Sequence, residues 1–208
     1  MRYLKMLGLG AVAAVALIAF IGAGSASATV LCSTISTPCN SKWAKSTQLE
    51  YIVKPETTAR WITGVSVNEC KSGTMKATMA NEGGAGVAVK LTMSASDFSW
   101  NECTFNQATL EGGELEINSI TGSNNGSITM KGFAFRTETL QYGNCTYTAG
   151  TGTKLGTLTA SGTGQSIIDI EVVLTKKEGS PTCPTTMEWI EEWIQTAPKG
   201  KALYVEPS

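Results

Sequence analysis

The chain has 208 residues, with 16 basic side chains against 17 acidic ones and no histidine. That balance leaves no electrostatic footprint for nucleic acid, which needs clustered Lys and Arg to neutralise phosphates. Without an imidazole, Ser-His-Asp and Cys-His nucleophile systems and His-containing zinc sites are excluded as well.

Residues 1–28 read as a secretory signal. Arg2 and Lys5 give a basic start, an apolar stretch runs from Met6 to Ile21, and small residues follow in Gly24-Ser25-Ala26-Ser27-Ala28. Ala26-Ser27-Ala28 offers the A-x-A pattern that a signal peptidase accepts. The competing reading is an uncleaved anchor, since Leu4 to Ala23 could nearly span a bilayer. The small-residue exit and the Thr-rich segment beyond it favour cleavage, as a helical signal removed after Ala28. No Cys follows the cut, so the new N-terminus, Thr29, has no lipid-anchoring thiol. The expected product is one secreted domain, residues 29–208, with no stable membrane span after cleavage. Its 180 residues carry 14 basic and 17 acidic side chains and can bury a substantial core. No L-P-x-T-G sorting sequence or C-terminal apolar tail is present, so release and loose envelope association both stay open.

All six cysteines, Cys32, Cys39, Cys70, Cys103, Cys145 and Cys183, lie after the signal. An even count in an exported chain predicts three disulfides, and sequence alone leaves their pairing open. Sequential closure is the expectation: Cys32–Cys39, Cys70–Cys103 and Cys145–Cys183. The first is favoured most, because Pro38 suits a tight loop.

Alternating segments then recur about every ten residues. Leu49, Tyr51 and Val53 share one face of the first. Trp61, Thr63, Val65 and Val67 read as a second, Met75, Ala77 and Met79 as a third, and Val87, Val89, Leu91 and Met93 as a fourth. Leu115 and Ile117 follow, then Ile128 and Met130, leading to Phe133 and Phe135. The cleanest strand is Ser166 to Leu174, with Ile168, Ile170, Val172 and Leu174 opposite Asp169 and Glu171. Glycine-rich breaks separate the segments, and Asn125-Gly126 suits a two-residue hairpin turn. The segment from Thr185 to Thr196 fits either a helix or a strand. Pro198 and the many β-branched and aromatic residues favour a strand, with Trp189 and Trp193 on one face and Ile190 and Ile194 on the other. Ala202 to Val205 reads as a short last strand. Together these patterns predict an all-β fold, a β-sandwich of jelly-roll or Ig-like type with three disulfides.

Four of these features resemble a group of secreted actinobacterial proteins that occur in many copies per genome and have no assigned function. They are the Ala28-Thr29-Val30-Leu31-Cys32 start, the Cys32…Pro38-Cys39 loop, the Phe98-to-Thr104 run and the Cys183…Trp189…Pro198…Leu203-Tyr204-Val205 ending. The resemblance implies a cystine-stapled β domain and supports the strand reading of the C-terminal segment. It implies no activity.

The remaining chemistry is sparse. No S-x-x-K, C-x-x-C, phosphate-binding or dinucleotide-binding glycine motif is present. Asp97 and Asp169 are the only aspartates and form no D-x-D run, so no calcium site, other metal or cofactor is expected. A glycosidase would need two carboxyls at close range, for which Glu188, Glu191 and Glu192 are the candidates. Trp189 and Trp193 beside them are the candidate sugar-stacking platform, and Trp43, Trp61 and Trp100 complete the tryptophans. Buried aromatics with a solvated acidic edge are the plainer account of the same residues. The expectation is therefore a secreted or envelope-associated structural or binding protein with no evident catalytic constellation. A carbohydrate-binding module or His-free glycoside hydrolase is the alternative. A cell-wall or extracellular glycan and self-association are the partner classes left open.

Overall fold

Alternation of apolar and polar residues is what drives the architecture, because one face of each strand must leave water. The computed structural model describes residues 28–36, 38–64, 66–105, 108–139, 143–161 and 164–206. The signal expected at residues 1–28 lies outside these, apart from Ala28.

Seventeen strands are described: β1 (Ala28–Thr29), β2 (Leu31–Cys32), β3 (Gln48–Val53), β4 (Ala59–Thr63), β5 (Ser66–Met79), β6 (Gly84–Ala85), β7 (Val89–Met93), β8 (Phe98–Cys103), β9 (Ala108–Glu111), β10 (Gly113–Ser119), β11 (Gly126–Lys131), β12 (Ala134–Thr139), β13 (Gly143–Thr148), β14 (Lys154–Ser161), β15 (Gln165–Gly179), β16 (Thr186–Ala197) and β17 (Tyr204–Val205). The one helical element among them is a 3-10 turn at Ala95–Asp97. The all-β expectation holds, and every ladder is antiparallel.

The main sheet forms a sandwich whose layers are continuous at their edges. Following the ladders, β16 pairs with β15, then β14, β11, β10, β7 and β5 in turn, and β5 returns through β3 to β16. β3 and β4 lie end to end in one slot between β5 and β16, pairing with different stretches of both. The long strands β5, β15 and β16 extend beyond this ring. There β8 pairs with the middle of β5, from Cys70 to Met75, while β13, β12 and β9 continue from the last residues of β15. Among the described residues β8 and β9 have no second ladder partner. The molecule thus has one end closed by backbone hydrogen bonds and one end that is open.

β15 shows why these residues form this element. Ile168, Ile170, Val172 and Leu174 are buried while Asp169, Glu171 and Val173 face out. Each fully buried aliphatic side chain contributes roughly 1.5–3 kcal/mol relative to exposure. A one-residue slip would reverse all four. β16 resolves the helix–strand ambiguity as a strand, with Trp189 and Trp193 on the buried face and Ile190 and Ile194 on the other.

Three local expectations are corrected, the first at Val87, which precedes β7 and is exposed while Val89, Leu91 and Met93 are buried. Trp61 to Val67 is not one strand, because the chain turns at Gly64 (φ 59°) and β4 folds back on β5 with Thr63 opposite Ser66. Asn125-Gly126 does not make a two-residue turn either. β10 and β11 are joined by residues 120–125, and Gly126 is already in the ladder opposite Ser119. A Cβ there would come within 2.6 Å of Ile117 Cγ2 and 3.0 Å of Val205 Cγ2, so this glycine serves packing.

The disulfides are Cys32–Cys39, Cys70–Cys103 and Cys145–Cys183, as sequential closure expects. Cys70 and Cys103 are directly opposite on β5 and β8. The short N-terminal strands are tied in by β1–β6 and β2–β17 pairing, so the first described residues pack against the end of the chain.

Candidate functional site

All five tryptophans are buried. Four of them, Trp61, Trp100, Trp189 and Trp193, join Phe98, Phe133 and Phe135 in one aromatic cluster inside the open end. Trp61 meets Trp100 edge-on at 5.1 Å and Phe135 at 5.4 Å, and Phe135 meets Trp189 at 5.4 Å. These separations and tilts are the ones that the ring quadrupoles favour. Gly73 on β5 makes room for the cluster, because a Cβ there would lie 3.0 Å from Trp100 Cδ1 and 2.6 Å from the Ser99 carbonyl oxygen.

Inside the aromatic cluster sits a carboxyl. Strand alternation carries Glu191 inward between Trp189 and Trp193, and it is only 1% exposed. Trp100 Nε1–H donates to Glu191 Oε1 at 2.7 Å, and Trp189 Nε1–H donates to Oε2 at 2.8 Å. Trp193 Nε1 has no partner of good hydrogen-bond geometry, yet its N–H still favours the charged carboxylate. The buried polar side chains among the described residues are Thr29, Thr63, Thr137, Ser166, Glu191 and Gln195, so no buried cation compensates the acid. Burial therefore pushes the carboxyl up to about 8, against the opposing pull of the three indole donors.

A second polar group lies inside the closed end. Ser166 Oγ–H donates to Gln195 Oε1 at 2.7 Å, and the Tyr51 hydroxyl lies 3.3 Å from Ser166 Oγ. Gln195 Nε2 donates onward to the Lys201 carbonyl at 2.9 Å, which anchors the chain after β16. Burial pushes the Tyr51 phenol up to about 12, with the Ser166 hydrogen bond opposing it. This network is neutral. A surface cleft of about 340 Å³ lined by Gln165, Gln195, Thr196, Pro198, Lys199 and Gly200 opens beside it.

The chain matches no family model, no curated protein and no solved structure. Its chemistry therefore has to be read from the geometry.

Trp189 and Trp193, expected as a sugar-stacking platform, are 2% and 0% exposed. Their faces are covered by other rings and by the sheet, so they present no surface to a glycan. The proposed carboxyl pair is not assembled either. Glu188 and Glu192 project from the outer face of β16 while Glu191 projects inward, so a sheet separates them. On that outer face Lys54 pairs with Glu192. Asp169 stands directly opposite Glu192 in the β15–β16 ladder, and its pKa is raised by burial first, then by the neighbouring Glu192 and Glu171 charges. Lys90 bridges Glu114 and Glu116 on another outer face, at 2.8 and 3.2 Å.

Exposed aromatic surface is found instead at Phe105, which is 55% exposed. It rims a narrow cleft at the open end with Trp61, Thr63, Ser66, Asn68, Thr137 and Glu138. Neither Glu191 nor the Tyr51–Ser166–Gln195 network was singled out from the sequence as an interior polar group, although the signal was present. Each of these residues falls on the inward beat of its strand: Glu191 between Trp189 and Trp193, Gln195 after Trp193, Ser166 before Ile168, and Tyr51 between Leu49 and Val53. Their partners, up to 115 positions away, left no local trace.

Proposed function

We propose that the chain is exported and works outside the cytoplasm as a structural or binding protein of the cell envelope or its surroundings. Three disulfides carry this reading. Each closes between segments that the backbone already brings together, as expected where thiols oxidise during folding and stay oxidised. The resemblance to secreted actinobacterial proteins points the same way. The inward orientation of the tryptophans and of Glu191 gives these groups a role in holding the sandwich together. Binding then falls to the outer faces and to the Phe105 rim.

Intact-mass analysis and non-reducing peptide mapping of the protein from a secreting host test the proposal. The expected product begins at Thr29, lacks six hydrogens relative to the reduced chain and yields the three cystine-linked peptide pairs. Recovery of full-length chain from the cytosol with six titratable thiols would refute export.

A further inference from the structure

The bond expected to be cut in maturation is itself part of the fold. β1 consists of the two residues that flank it, with Ala28 opposite Ala85 and Thr29 opposite Gly84. Thr29 is 3% exposed, and its Oγ1 accepts the Ser119 N–H at 3.1 Å. A Cβ on Gly83 would lie 1.9 Å from the Thr29 carbonyl oxygen, so β1 comes in over a position that only glycine leaves open. Gly83 also has a φ of 73°, which suits glycine.

The following residues are equally engaged. Val30, Leu31 and Cys32 are buried, and the Glu206 N–H donates to the Val30 carbonyl at 2.9 Å. β2 pairs with β17, and Cys32 is bonded to Cys39. No spacer separates the expected scissile bond from the first ladder.

Hydrolysis adds one water across the Ala28–Thr29 amide, leaving a carboxylate on Ala28 and an α-amine on Thr29, with a signal peptidase as catalyst. A protease acts on a segment whose backbone is free to enter its cleft, so a docked strand is cut only through local opening. Opening here breaks the β1–β6 pairing and the Ser119 contact and exposes Thr29. We propose that folding withdraws the processing site: the Ala28–Thr29 bond is cleavable only before β1 docks on β6, and a precursor that folds first stays uncut. This rests on the export reading above.

The test uses the full 208-residue chain in detergent micelles with a purified signal peptidase. Cleavage of the oxidised, folded chain is compared with that of chain reduced and unfolded in urea, then diluted into the assay. The unfolded form is expected to yield a Thr29 N-terminus at least about tenfold faster. Gly83→Ala is expected to lift β1 and restore cleavage in a folded chain, with near-UV circular dichroism of the buried tryptophans showing that the core is intact. The wild-type comparison decides the matter even if that variant does not fold. Equal rates for folded and unfolded wild type would overturn the occlusion while leaving export standing. Cleavage of neither form, or a product starting elsewhere, would overturn the export reading and the occlusion with it.

Discussion

The two ends of the sandwich are held by different means. At the closed end the ladders run without a break through β5, β7, β10, β11, β14, β15, β16 and β3, and the interior polar group is the neutral Tyr51–Ser166–Gln195 network. At the open end β8 pairs with β5 alone and β9 with β12 alone among the described residues. There the ties are of another kind. Cys70–Cys103 bonds β8 to β5, Cys145–Cys183 bonds β13 to the loop before β16, and Trp100 reaches from β8 to Glu191 on β16. Where backbone hydrogen bonds complete the sheet, neutral polar groups suffice inside it. Where the sheet stops, covalent links and an indole–carboxyl clasp take over.

The sharpest way to break that comparison is to remove the ties. Replacing both Cys70 and Cys103 by Ala releases a cross-link spanning 33 residues, and the chain-entropy estimate puts the cost at about 3–4 kcal/mol. Removing Cys32–Cys39, which spans 7 residues beside the closed end, should cost only about 2 kcal/mol on the same estimate. Urea unfolding midpoints read both. A larger loss for the shorter loop would show that the N-terminal ladder, and not the open end, is where covalent support matters most.

The second test uses pH, because only one of the two interior polar groups titrates in the ordinary range. Glu191 is pushed from 4.5 up to about 8 in the folded chain. Between those values the folded protein holds a proton that the unfolded chain has released. The stability that this proton confers is complete below about 4.5 and is lost as pH rises through about 8. The change is on the order of a few kcal/mol. Tyr51, pushed up to about 12, contributes nothing in that window. Urea midpoints should therefore fall across the window for the wild type and run nearly flat for Glu191→Gln. Parallel slopes for the two proteins would remove Glu191 from the account. Hydrogen exchange should place the pH-sensitive opening in β8 and leave β3 unaffected.

How much of this was legible depended on the range of the interaction. The faces of β15 and β16 follow from alternation within each strand, whereas the sequential cystine pairing, which also holds, ties strands whose cysteines are 33 and 38 residues apart. The turn at Gly64 was missed because valines continue the apolar beat across it. Asn125-Gly126 carried a turn signal, but the space beside Ile117 and Val205 had the stronger claim on that glycine. For Trp189 and Trp193 residue type admits both a sugar platform and a packed core; the core is the plainer reading, and their alternation with Ile190 and Ile194 is the signal that agrees with their burial. Glu191 shared that beat, and its partner Trp100, 91 positions away, could not be read locally.

The smallest effect lies on the outer surface that both ends share. Asp169 and Glu192 are directly opposite on β15 and β16, with Glu171 two residues along, and Lys54, which pairs with Glu192, offsets only part of the repulsion at Asp169. Like charges facing across a ladder destabilise it, which is why the Asp169 carboxyl is held above its usual range by Glu192 and Glu171 once burial has raised it. Asp169→Asn removes one of the two charges and keeps the side chain's shape. It should stabilise the protein by about 0.2–1 kcal/mol at neutral pH. The gain should shrink in acid, where Asp169 is protonated anyway, and in high salt, where exposed charges are screened. A gain that survived both conditions would have to come from something other than charge. Because β15 and β16 run the length of the sandwich, the substitution should shift the stability of the closed and open ends together and leave the pH-dependent difference between them, set by Glu191, unchanged.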